Sequence, residues 1–158
     1  SGEIHGVKWV RSQPTMYRRS AHKDPVEEQA YRPPQEPVTV AGQGFHWYLR
    51  RLIMNGTFRV GSKKLVRFLL PARFDYFTFR LLGHSQNGTK LSIKVKMDSA
   101  ILRLFAGVKM QLTYDTKTGR LLEYLGPTHV PDASGETPDV VRIHYAYRPI
   151  VPSAGIGR

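Results

Sequence analysis

Residues 74–126 read FDYFTFRLLG (74–83), HSQNG (84–88), TKLSIKVKM (89–97), DSAILRLFAG (98–107), VKMQLTYD (108–115), TKTG (116–119) and RLLEYLG (120–126). Two of these runs alternate apolar and polar residues at period two, the pattern of a strand with one dry and one wet face. Leu91, Ile93, Val95 and Met97 point one way, and Lys90, Ser92, Lys94 and Lys96 the other. Val108, Met110, Leu112 and Tyr114 likewise oppose Lys109, Gln111, Thr113 and Asp115. Asn87-Gly88 at the end of HSQNG supplies a residue pair that tolerates positive φ, and Asp115 to Gly119 fits a type I turn closed by a left-handed glycine. The stretch therefore predicts a hairpin, a short apolar helix over 98–105 capped by Asp98 or Ser99, and a second hairpin.

Upstream, Phe45, Tyr48, Leu49, Leu52 and Ile53 fall at i, i+3, i+4, i+7 and i+8, one face of an amphipathic helix over 44–54. Asn55-Gly56 supplies its stop, because both residues accept the left-handed conformation that ends helices. LVRFLLP (65–71) reads as a short strand, at an edge or leaving its sheet at Pro71. Downstream, Val141, Ile143, Tyr145 and Tyr147 alternate with Arg142, His144 and Ala146 as one more strand. Residues 126–138 read as a long turn-rich loop. Before residue 37 a short strand is expected around Val7–Val10. From Ser12 to Pro37 the chain is polar and carries Pro14, Pro25, Pro33, Pro34 and Pro37, which remove backbone donors and break periodicity. The division is an irregular, Pro-rich arm (1–37), a sheet domain (38–150) and a loose tail (151–158).

The 158 residues carry 24 Lys and Arg against 12 Asp and Glu, a net charge of +12. Such a balance favours anionic partners, nucleic acid or an anionic surface. Cysteine is absent, which excludes disulfides, thiolate metal sites and a cysteine nucleophile. No apolar run approaches the ~20 residues needed to span a bilayer. SGEIHGVKWV has no signal-peptide h-region, and Ser1-Gly2 reads as a cloning scar or a processed start.

Catalytic patterns do not emerge. Gly56 to Lys64 resembles a P-loop, yet Ser62 stands where Gly, Lys and Ser or Thr must follow in succession. Gly42-Gln43-Gly44 precedes a helix, but it lacks a third glycine and a recognisable βαβ unit. His5, His22, His46, His84, His129 and His144 show no metal-ligand spacing and read as surface histidines. The acids are explained by turns, caps or strand pairing, and Ser92, Ser99 and Ser134 lack the setting of a nucleophile elbow. Asn55-Gly56-Thr57 and Asn87-Gly88-Thr89 match a glycosylation pattern that is equally an Asn-Gly turn. Lys90, Lys94, Lys96, Lys109 and Arg142 line the wet face. Tyr114, Tyr145 and Tyr147 are expected on the opposite one, so no aromatic platform accompanies the lysines and that face reads as a solvated guard against aggregation. Between Pro37 and Phe74 every charged residue is basic, and a second patch near Arg50, Arg51, Lys63 and Lys64 keeps anion binding open.

The order of landmarks along Phe45–Asn55, Gly56, Phe68-Leu69-Leu70-Pro71-Ala72-Arg73, Tyr114-Asp115, Arg120-Leu121-Leu122-Glu123-Tyr124-Leu125-Gly126, Asp132, Gly135 and Val141–Tyr145 resembles an uncharacterised family of bacterial exported proteins. These are similar in architecture to periplasmic lipoprotein carriers, open half-barrels whose concave apolar face takes acyl chains. The resemblance implies an α+β fold, a curved antiparallel, half-barrel-like β-sheet with one or two short helices on its apolar face. It implies a non-catalytic protein of the bacterial periplasm or envelope, without cofactor or metal, that binds a lipid or lipoprotein acyl chain. The apolar wall would then comprise Phe77, Phe79, Leu91, Ile93, Val95, Met110, Leu112, Tyr114, Ile143 and Tyr145. The alternative is a nucleic-acid or anionic-surface binding module using the basic residues.

Overall fold

The computed structural model describes residues 3–11, 13–97, 110–127 and 140–148. Within them lie ten strands and one α-helix. The fold is mostly β, with two sheets that are neither closed nor strongly curled. The coarse expectation, a largely antiparallel sheet with a helix on its apolar face, is met. The expected helix at 98–105, residues 128–138 of the loop expected over 126–138 and the tail from 151 lie outside the described residues.

The larger sheet grows from the two hairpins. Strand β6 (Asp75–Asn87) pairs antiparallel with β7 (Lys90–Met97), β7 with β8 (Met110–Asp115), and β8 with β9 (Leu121–Gly126). The first hairpin is tighter than HSQNG suggested: Asn87 pairs with Lys90, so only Gly88 and Thr89 turn the chain, with Gly88 at φ 57°. Glycine leading a two-residue loop matches the twist of the flanking strands. The second turn follows its prediction. Gly119 sits at φ 65° and donates its N–H to the Asp115 carbonyl (2.7 Å), while Thr118 Oγ1 donates to the Asp115 carboxylate (2.6 Å).

Strand β5 (Lys63–Leu70) joins β6 on the other side, and β4 (Val38–Val40) pairs with β5 in parallel. The seven strands run β10-β9-β8-β7-β6-β5-β4, with β10 (Val141–His144) at the far edge. Strand β5 is thus interior, and Pro71 does leave the sheet, opening the 3-10 turn Pro71–Arg73. The C-terminal strand stops at His144, so Tyr145 and Tyr147 lie beyond it.

Between β4 and β5 runs α1 (Gly44–Met54). A parallel pair cannot be joined by a tight turn, and the helix is the crossover that makes it possible. A βαβ unit therefore exists where the sequence showed none, because a three-residue β4 leaves almost no strand signal. Helix α1 buries Phe45, Leu49 and Ile53 at its i, i+4 and i+8 positions. They join Val40, Phe58, Val66, Phe79, Leu81, Leu91, Ile93, Val95, Leu112, Tyr114 and Leu121 in the main core. Phe45 packs edge-on against Phe68 (6.2 Å between ring centres) and Phe79 (6.3 Å). At roughly 1.5–3 kcal/mol for each large apolar side chain buried, the helix face is the main device closing the dry side.

The N-terminal stretch corrects the expectation of an irregular arm. It forms a three-stranded antiparallel sheet in the order β1 (Ile4–Val10), β2 (Gln13–Arg19), β3 (Glu27–Ala30). The prolines punctuate this sheet without preventing it. Pro25 lies between β2 and β3, Pro33, Pro34 and Pro37 lie between β3 and β4, and Pro14 serves β2 as an acceptor, its carbonyl taking the Tyr31 N–H (2.8 Å). All of β3 is exposed, so it carries no alternation to read. The small sheet rests on the second face of the large one near β5 and β6. Arg18 donates to the Ala72 carbonyl (3.2 Å) and lies over the Phe74 ring (4.7 Å), and Tyr31 meets Tyr76 (5.6 Å between rings). Met16 and Leu69, both buried outside the main core cluster, mark this second packing layer.

Candidate functional site

The residues expected to wall an apolar ligand site divide by position. Phe79, Leu91, Ile93, Val95, Leu112 and Tyr114 are buried in the core, and Phe77 and Met110 pack on it half-buried. Ile143 and Tyr145 are exposed, 40% each. Geometry explains the division. Helix α1 reaches β5 and β6 through Phe45 and β8 through His46, while Ile143 on β10 stays exposed.

The open surface with mixed chemistry lies at the opposite edge, along β4. A groove of about 470 Å³ is lined by Trp9, Val38, Thr39, Val40, Ala41, Gly44, Trp47, Tyr48 and Arg51. A second of about 360 Å³ adjoins it across Tyr48, lined by Glu36, Pro37, Lys63, Lys64 and Leu65. Three elements build this surface. Strand β1 brings Trp9, the edge strand β4 forms the floor, and α1 presents Trp47, Tyr48 and Arg51 from one side of its first two turns. Trp9 is 58% and Trp47 65% exposed, against the burial such large rings ordinarily achieve. Arg50 lies over Trp47 (5.4 Å) and Arg51 over Tyr48 (5.9 Å), stacked cation–π pairs that hold charge and ring side by side. Burial raises the Tyr48 hydroxyl above its ordinary pKa, assisted by Glu36 and opposed by Arg51. It stays a neutral donor.

Behind the floor stands Arg67, 8% exposed at the middle of β5. Its Nη1 donates to Thr39 Oγ1 at 3.5 Å, its guanidinium lies over the Tyr76 ring (4.9 Å), and its Nε is buried without a partner. No acid pairs with it among the described residues.

The crossover also places Gly42-Gln43-Gly44 at a strand-to-helix turn, the usual position of a phosphate cradle. Here the amides that open the helix are already used: Gly44 donates to Ala41 (2.9 Å), Phe45 to Gly42 (3.3 Å) and His46 to Gln43 (3.1 Å). The motif resembles an anion loop in sequence but not in hydrogen bonding. Lys63 and Lys64, the end of the P-loop-like run, open a strand rather than a helix.

Among the described residues no group of three or more His, Cys, Asp or Glu residues suited to a metal occurs. His46 is the exception to the surface reading. It is half-buried on α1 with Nδ1 2.7 Å from the hydroxyl of the buried Tyr114, and burial lowers its pKa. Burial likewise drives the Tyr114 hydroxyl far above its ordinary pKa. The pair satisfies polar atoms beneath the helix. At the far edge Glu123 accepts from Arg142 (3.3 Å) and lies near His144 Nδ1 (3.4 Å), an exposed strand-pairing contact. On the wet face Lys90 and Lys96 are exposed, Lys94 is half-buried and Ser92 is buried.

Sequence reasoning named the basic patch of Arg50, Arg51, Lys63 and Lys64 but missed its aromatic half. Trp9 comes from a region read as an arm, and Trp47 lies off the apolar stripe of α1. A large aromatic on the polar side of an amphipathic helix was the available signal. No family model matches the chain, and neither a curated protein nor a solved structure matches it.

Proposed function

We propose that the protein is a non-catalytic binding module that takes single-stranded nucleic acid in the groove along β4. The observation that carries this reading is that Trp9 and Trp47, both more than half exposed, line one groove with Arg51 and stand beside Arg50, Lys63 and Lys64. Exposed aromatic faces stack bases without regard to sequence, and a cationic rim tracks the phosphates. The net charge of +12 favours the encounter. The aromatic platform that the lysine face lacks is present here.

The other reading is a half-barrel-like envelope protein holding an acyl chain against Leu91, Ile93, Val95, Leu112 and Tyr114. Those side chains pack in the core beneath α1, and an acyl chain entering there has to lift the helix. A location in the bacterial envelope goes with that reading and is not needed by the groove.

The chain's two tryptophans both line the groove, so tryptophan emission, excited selectively at the red edge where tyrosine does not absorb, reports on it. Titration with a single-stranded oligothymidylate at low salt is expected to quench that emission. With Arg50, Arg51, Lys63 and Lys64 each neutralising one phosphate, log K against log salt should fall with a slope of about −3. Unchanged emission at low salt, or a flat salt dependence, rejects the reading.

A further inference from the structure

Arg67 is a buried cation whose contacts within the fold leave part of its guanidinium unsatisfied. It interrupts the apolar run LVRFLLP at the centre of an interior strand, 8% exposed, with no carboxylate paired to it among the described residues. Burying an unpaired cation is costly, and the Tyr76 ring supplies only part of what water gave it. The contacts of the guanidinium are directional. One face is taken by Tyr76, Nη1 reaches Thr39 Oγ1 at the outer limit of a hydrogen bond (3.5 Å), and the edge bearing Nε has no partner. That edge is the one with which arginine grips a carboxylate or phosphate through two parallel bonds. Thr39 is the link to the surface, because it lines the β4 groove while holding the guanidinium.

We propose that Arg67 is the anchor for one anionic group entering past Thr39, a phosphodiester of the strand bound in the groove. The proposal rests on the groove reading and adds a fixed point to it. Exposed Arg50, Arg51, Lys63 and Lys64 supply diffuse attraction, whereas Arg67 holds a single phosphate in a defined position beside Trp9.

The test compares the parent with Arg67→Lys, which keeps the charge and loses the fork, and with Thr39→Val. Two measurements are made: oligothymidylate affinity, and the shift in melting temperature when phosphate replaces chloride at equal ionic strength. Arg67→Lys is expected to lose about tenfold or more in affinity, the scale of a charge-assisted hydrogen bond, and to lose the phosphate-specific stabilisation. Thr39→Val should lose a smaller factor with its fold intact, and it carries the test if Arg67→Lys does not fold. Lys63→Gln, at the exposed rim, should lose no more than about threefold. If both Arg67→Lys and Thr39→Val bind and melt with phosphate as the parent does, the anchor is overturned and the groove reading stands. If the parent ignores the oligonucleotide but gains phosphate stabilisation that Arg67→Lys lacks, the anion site stands and its phosphate has another source. A parent that responds to neither overturns both.

Discussion

The two ends of the seven-stranded sheet are built differently. At the β4–β6 end both faces are covered: α1 lies on one, and the three-stranded N-terminal sheet rests on the other. At the β9–β10 end Ile143 and Tyr145 are 40% exposed, and β10 is four residues long. The covered end can hold a costly feature, a buried arginine, because layers on either side keep it in place. It also displays two tryptophans at its rim. The proposed groove lies where the scaffold is thickest.

That contrast can be broken by mutation. Leu49→Ala removes the centre of the helix face at a fully buried position and should destabilise by about 3 kcal/mol in urea unfolding, with the core around Phe45 and Phe79 loosened. Gly83→Ala comes next. An added Cβ would collide with the Arg59 carbonyl oxygen, and Gly83 exchanges backbone bonds with Ser62 and Gly61 (2.9 Å each), so about 2 kcal/mol of overpacking is expected in the same measurement.

The His46–Tyr114 contact sharpens the comparison through pH. Burial holds the His46 pKa below its ordinary value in the folded protein, so the unfolded chain binds the proton more readily. The stability it contributes is complete above about pH 6.5 and falls as pH drops toward the lower, folded pKa. His46→Gln should flatten that part of the stability profile, read as unfolding midpoints between pH 7 and 5. The smallest effect belongs to the open end. Ile143→Ala should change stability by less than about 0.5 kcal/mol, and a larger loss would mean that the β10 end is covered after all.

Much of this fold was legible where local and tertiary signals agree. Helix α1 occupies 44–54, where its stripe of Phe45, Leu49 and Ile53 predicted it, and the alternation over Lys90–Met97 matches β7. The Asp115–Gly119 turn follows its residues, since Asp115, Thr118 and Gly119 each have a specific bond to make. What stayed hidden depends on partners distant in sequence. Strand β3 (EEQA) is polar and exposed throughout, and it is a strand because β2 lies beside it. Strand β4 is three residues long and owes its pairing to the helix that follows. The candidate site needs both of these hidden regions, since Trp9 comes from the small sheet and Thr39 from β4. The basic half could be read from composition, and its aromatic half only once β1 was placed.

The parallel pairing of β4 with β5 has a kinetic consequence. Strand β4 reaches β5 only after the chain has passed through α1, and its three residues add few backbone bonds to hold it there. Local opening of so short an edge requires less free energy than global unfolding, so the amides of Val38–Val40 should exchange early in deuterated solvent. A strand lying from Trp9 across β4 to Trp47 would clamp that edge between the N-terminal sheet and the helix. Slower exchange at those amides on adding oligonucleotide would then map the groove residue by residue.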